Sequence, residues 1–167
     1  TIYMKYIKYL LLLNLVYILG GMNCSVQKSN TEKTVEIGTP FQGGIVFYLF
    51  QEGDNGYRPG ELHGLIATTE DQATEIEWGC YGAQIKGANG TIIGTGAQNT
   101  LAILASCNEA GIAARACAEL VLEGYGDWFL PSKDELNLLY LNKDVITNLG
   151  DFYYWSSTGY GGFNGWG

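Results

Sequence analysis

Glycine sets the terms for this chain: 24 of its 167 residues are glycine, against only three prolines. That is roughly twice the usual share, and no Gly-X-Y period accompanies it, so a collagen-type rod is excluded and many tight turns are implied. Short elements joined by long loops follow. The rest of the composition supplies what those turns connect. With 47% apolar and 16% charged residues, the chain has the makings of one packed domain rather than a disordered segment, a coiled coil or a multidomain enzyme.

The first segment reads as an address. Met4 reads as the initiating residue, Lys5 and Lys8 make a charged start, and Tyr9 to Gly20 is an apolar run broken only by Asn14. This is the pattern of a signal peptide over residues 1–23, and a run of about 12 is too short for a membrane span. Cys24 stands where a bacterial lipoprotein carries its acylated cysteine, and the polar tether 24–37 follows it. Contact with a membrane is therefore expected only through a lipid anchor on Cys24. The competing reading is an ordinary cleaved signal with Cys24 free or paired. Without residues 1–23 the chain carries seven basic and 17 acidic residues, a net charge of −10. Such a charge repels polyanions, so nucleic acid is not an expected partner. The expected location is extracytoplasmic, as an outer-membrane or cell-surface lipoprotein or a secreted protein.

Within 38–167, Gly43 to Phe50 is a continuous β-branched and aromatic run, the signature of a buried strand. Gln51 to Gly60 is turn chemistry, and Leu62 to Thr68 reads as the antiparallel partner. Gly87 to Gly96 is a glycine-rich loop that lacks the Gly-Lys-Ser/Thr of a phosphate loop and the strand and third glycine of a dinucleotide fingerprint, so tight-turn packing is its reading. Asn99 is expected to cap a helix over Leu101 to Cys107. A second helix is expected from about Gly111 to Leu122, with Ile112, Cys117, Leu120 and Val121 inward. Ser132 and Glu135 form a capping box that starts a helix from Lys133 to about Asn142, with Leu136, Leu139 and Tyr140 on one face. Asp151 to Gly167 is crowded with rings separated by Ser, Gly and Asn, and no strand follows it.

Cysteines 80, 107 and 117 remain after Cys24, in a compartment where disulfides persist. On one straight helix Cys107 and Cys117 would lie about 15 Å apart and could not bond, although a break at 108–111 that folds the chain back leaves the pair open. The favoured bridge is Cys80–Cys107. Cys117 is then buried, or paired to a residue beyond the end. Asp54 and Asn55 read as a solvated turn rather than a calcium loop, Asp127 as a turn-capping carboxylate, and the lone His63 as a structural residue in a strand. No metal or cofactor is expected.

The ordered set Gly43-Gly44-Ile45-Val46-Phe47, Gly64-Leu65-Ile66-Ala67, Trp78-Gly79-Cys80, Gly94-Thr95-Gly96, Gly111-Ile112-Ala113-Ala114-Arg115, Asp127-Trp128-Phe129-Leu130-Pro131-Ser132 and Tyr154-Trp155-Ser156-Ser157 resembles the C-terminal domain family of the Legionella collagen-like adhesin. It covers nearly all of residues 38–160. The resemblance implies a bacterial surface module that binds carbohydrate or glycosaminoglycan, and a domain 38–167 whose closing strand is missing. Leu130-Pro131-Ser132 and the helix after it are also similar to a segment of formylglycine-generating-enzyme-like and C-type-lectin-like domains. The fold expected by that analogy is α+β and C-type-lectin-like, with antiparallel strands, two or three helices and Gly-rich loops.

The function expected is adhesin-like binding of a glycan or an extracellular protein, without catalysis, through Tyr154, Trp155, Ser156, Tyr160, Phe163, Asn164 and Trp166. Rings beside Ser and Asn can stack on sugars or anchor a protein partner. Tyr154 and Trp155 also suit a core role at a strand end. Two alternatives stand beside this one: a formylglycine-generating-type oxidase using paired Cys107 and Cys117, and a structural module that assembles, for instance, as a homotrimer.

Overall fold

The structure is a computed structural model that describes residues 4–9, 35–83, 85–146, 148–150, 152–160 and 164–165. Its architecture is α+β: among the described residues, a four-stranded antiparallel sheet, a two-stranded one, three α-helices and long connecting loops. The sheet has four strands in the order β1-β4-β3-β2, where β1 is Met4–Tyr9, β2 Pro40–Phe41, β3 Gly44–Leu49 and β4 Leu62–Ala67. Strands β3 and β4 form the expected hairpin, with Val46 opposite Ile66 and an irregularity between Val46 and Tyr48. Residues read above as the start of a leader, Met4–Tyr9, pair along the other edge of β4, and Met4 is fully buried. Met4 also exchanges two backbone hydrogen bonds with Phe129. Cys24 and most of the tether lie outside the described residues, and among those described no helix is long and apolar enough to cross a membrane.

The continuous apolar run of the hairpin has a direct cause. Successive side chains of a strand point to opposite faces, and here both faces are covered. Val46 and Ile66 join Trp78, Ile103, Ile112, Trp128 and Leu130 in one core cluster, whereas Phe47, Leu65 and Ala67 join Met4, Phe129, Leu139 and Ile146 in the other. The first cluster holds α1 (Gly96–Ser106) and α2 (Ala113–Glu119); the second holds α3 (Lys133–Leu141).

Helix boundaries depart from expectation in physically readable ways. Helix α1 begins three residues before Asn99, with Thr95 at the N-cap position. Asn99 is buried within it and spends its amide on the loop below, accepting from Gly90 N (3.0 Å) and donating to Gly90 O (2.6 Å) and Ser157 Oγ (3.3 Å). Helix α2 is only seven residues long, and Leu120 after it is extended. Val121 is consequently exposed rather than inward, because the chain turns out through the Leu122–Tyr125 bridge and a left-handed Gly124. The capping box of α3 forms as read, with Ser132 Oγ accepting from Glu135 N and Glu135 Oε2 accepting from Ser132 N. Leu139 is buried, but Tyr140 faces out and carries Lys143 Nζ over its ring at 4.8 Å. Within the ring-rich segment 151–167, two-residue strands β5 (Gly159–Tyr160) and β6 (Asn164–Gly165) pair with each other.

The loops are fastened by side chains. Asp54 accepts from Tyr48 OH (2.8 Å) and Gln51 N (2.7 Å), so the hairpin turn is held from inside. His63 is buried in β4, with Nδ1 3.0 Å from Gly56 O and Nε2 2.8 Å from Glu61. Gly94, at φ +87°, lies so close to the Asn55 carbonyl that an added Cβ would collide with it, which accounts for glycine in that tight turn.

Two weakly acidic groups, one buried and one partly so, should make the fold sensitive to alkali. Burial, then the hydrogen bond to Asp54 and its negative charge, push the Tyr48 phenol from 10.0 up to about 12. Burial pushes the Cys117 thiol well above its ordinary 9.0. Both folded values exceed the unfolded ones, so their stabilisation is complete below pH 9 and is lost as pH rises, first past 9 for Cys117 and then from 10 to about 12 for Tyr48. The expected result is a falling unfolding midpoint across that range, with Asp54→Asn moving the Tyr48 absorbance titration back toward 10. A flat midpoint would count against both assignments.

Candidate ligand-binding site

The segment after α3 owes its shape to a knot of buried polar residues. Ser156, Ser157 and Thr158 are each at most 2% exposed, and the chain around them is tied to distant loops. Trp78 Nε1 donates to Ser156 O (2.7 Å), Ser157 N and Oγ donate to Pro131 O (2.6 and 3.0 Å), and Thr158 Oγ1 donates to Gly90 O (2.8 Å) while accepting from Lys133 N (2.9 Å). Gly159 N adds a bond to Ala88 O (2.7 Å). Small hydroxyl residues suit this role because buried backbone groups need partners and bulky side chains would not fit between three loops.

Just before the knot, the chain presents four consecutive rings, Phe152, Tyr153, Tyr154 and Trp155. Two of them turn inward. Tyr154 is buried and its hydroxyl accepts from Gly150 N (3.0 Å); Trp155 is half-buried and donates from Nε1 to Ile76 O (2.8 Å). The other two stand out, with Phe152 76% and Tyr153 96% exposed. They form a ridge between two clefts. The larger, about 540 Å³, lies between the ridge and the loop 71–76 and is lined by Asp71, Thr74, Glu75, Ile76 and Trp155 in addition to the rings. The smaller, about 300 Å³, lies between the ridge and α3 and is lined by Lys133, Asn137, Tyr140 and Ser156 among others. The two sides thus differ in charge, with carboxylates on one and an ammonium on the other.

Trp155 Nε1 joins the ridge to the far wall of the larger cleft, so that cleft is a braced feature. Its wall 71–78 is braced again at Cys80, which is disulfide-bonded to Cys107 at the end of α1, with Cα atoms 5.5 Å apart. On the other side, Ser156 Oγ is the buried side-chain polar atom that lacks a hydrogen-bond partner among the described residues.

No family model, no curated protein and no solved structure matches the chain.

Of the residues expected to bind ligand, Tyr154, Trp155 and Ser156 line the clefts, with Tyr154 and Ser156 buried. Phe163 and Trp166 lie outside the described residues, and of Tyr160 and Asn164 the backbone alone is described, paired residue to residue. Phe152 and Tyr153 are the residues that the sequence reading missed. Four rings in a row signal that some must face out, but strand alternation would expose every second one, whereas Phe152 and Tyr153 both stand out and Tyr154 and Trp155 both turn in.

The expected bridge Cys80–Cys107 is present, and Cys117 is the free, buried cysteine. Cys107 is thereby committed to Cys80 and is not a thiol partner for Cys117. Cys80, Cys107 and Glu109 bring sulfur and carboxylate atoms within 4.8 Å, but sulfurs joined to each other are not the thiolates that hold a metal.

Proposed function

We propose that the chain is an adhesin-like surface module that binds a glycan or an extracellular protein on the Phe152–Tyr153 ridge and the clefts beside it. In this reading it is exported, held at the bacterial surface by acylation of Cys24 after a cleavage that takes β1 away and frees the β4 edge it pairs with, and related to the C-terminal domain family of the collagen-like adhesin, with a C-type-lectin-like arrangement of its loops. It acts by binding and makes or breaks no bond in its ligand. The observation that carries the reading is the pair of adjacent rings, 76% and 96% exposed, on a backbone whose neighbours are fixed by buried hydrogen bonds. Exposed rings on a rigid support offer large contact area with little ordering cost.

The test is a glycan and peptide array probed with the full chain and with a Phe152→Ala, Tyr153→Ala double variant. Both side chains are on the surface, so the expected stability change is within about 0.5 kcal/mol each. Binding should fall at least tenfold while the thermal midpoint holds. Array binding that survives both truncations would remove the ridge as the site.

A further inference from the structure

We propose that the larger cleft receives the guanidinium of an arginine side chain, so that the partner is a protein displaying an exposed basic residue. This rests on the ridge being the ligand face, and it names the ligand chemistry that face selects. Three observations on the cleft converge.

The first is its lining. Tyr153, Tyr154, Trp155 and Phe152 supply aromatic surface, while Glu75 supplies a carboxylate on the opposite wall. A cation above a ring is attracted by the ring's quadrupole, and Trp is the strongest partner. Guanidinium is planar, weakly hydrated and forked, so it can stack on a ring and hydrogen-bond a carboxylate at once.

The second is asymmetry across the ridge. Lys133 lies on the smaller cleft, so a cationic group meets favourable charge on one side and repulsion on the other. Charge complementarity of this kind fixes orientation and rejects wrong partners. The third is rigidity. The bond from Trp155 Nε1 to Ile76 O (2.8 Å) ties the backbone of the two walls, so the cleft has its shape before any ligand arrives. Preorganisation lowers the ordering cost of binding. The chain without residues 1–23, at net −10, also steers a basic partner inward.

The experiment follows the indole N–H resonances of the full chain by nitrogen-edited NMR during titration with N-acetyl-arginine amide. The control is N-acetyl-citrulline amide, which keeps the shape and removes the charge. The Trp155 resonance should shift saturably with the arginine probe and the Trp78 resonance should not, because Trp78 does not line the cleft. Citrulline should bind at least tenfold more weakly, arginine affinity should drop as salt rises, and Glu75→Gln should bring arginine down to the citrulline level. Equal affinity for the two probes, or a Trp155 shift produced by a neutral maltooligosaccharide and not by arginine, would overturn the proposal. The probe comparison uses the unaltered chain, so a variant that folds poorly does not blunt it. If arginine leaves Trp155 unmoved while the Phe152, Tyr153 double variant still loses array binding, the charge assignment fails and the ridge stands. If the double variant binds the array normally, the ridge itself fails.

Discussion

Replacing Glu135 by alanine lowers the unfolding free energy by about 4 kcal/mol, which in a chain of this size moves the thermal midpoint by about 10 °C. The carboxylate is fully buried and accepts from Gly94 N on one oxygen and Ser132 N on the other, both at 2.8 Å. Removing it strands two backbone donors away from water, and each stranded donor costs roughly 1–3 kcal/mol. It also removes half of the capping box that starts α3. Glutamine keeps the shape but presents an amide N–H₂ to one of two donors, so Glu135→Gln should recover less than half of the loss. Calorimetry or urea unfolding on the three chains decides the matter, and a loss under 1 kcal/mol for alanine would contradict the account.

The second large effect concerns the bridge. Converting Cys80 and Cys107 to alanine should cost about 3.5 kcal/mol, the chain-entropy value for a closed loop of this length, since the two are separated by 27 positions. The damage should not stop at stability. Cys80 lies two residues from Trp78, whose indole holds the Ser156 carbonyl, and four from Ile76, which accepts from Trp155. Array binding by the double variant should therefore weaken at temperatures where its circular dichroism still reads as folded. Binding that tracks the folded fraction one to one would show that the bridge stabilises the domain without shaping its ligand face.

The strand pair and the capping box are legible in the sequence because each depends on near neighbours. Gly43 to Phe50 is apolar throughout because both faces of β3 are covered, and Ser132 meets Glu135 within one helical turn. The bridge is favoured there but not dictated: a break at 108–111 leaves Cys107–Cys117 open, α1 and α2 are separate helices on either side of that break, and the fold decides for Cys80–Cys107. Asn99 shows where such reasoning ends: its residue type suits a cap, yet the long-range bonds to Gly90 and Ser157 decide its place inside α1. Val121 is misread because the apolar pattern continues past the point where α2 stops. The exposure of Phe152 and Tyr153 depends on what Gly90, Pro131 and Trp78 do to Ser156–Thr158, and no local pattern encodes that.

The bonds that fasten the knot span 78 positions from Trp78 to Ser156, 68 from Gly90 to Thr158, 26 from Pro131 to Ser157 and 25 from Lys133 to Thr158. Contacts so distant along the chain carry the largest loop-closure penalty and form only when the segments between them are already in place. If the ridge binds as proposed, binding is thus a certificate of completed assembly: a partly collapsed copy can show helices and strands to a spectroscopist and still lack the shaped ridge.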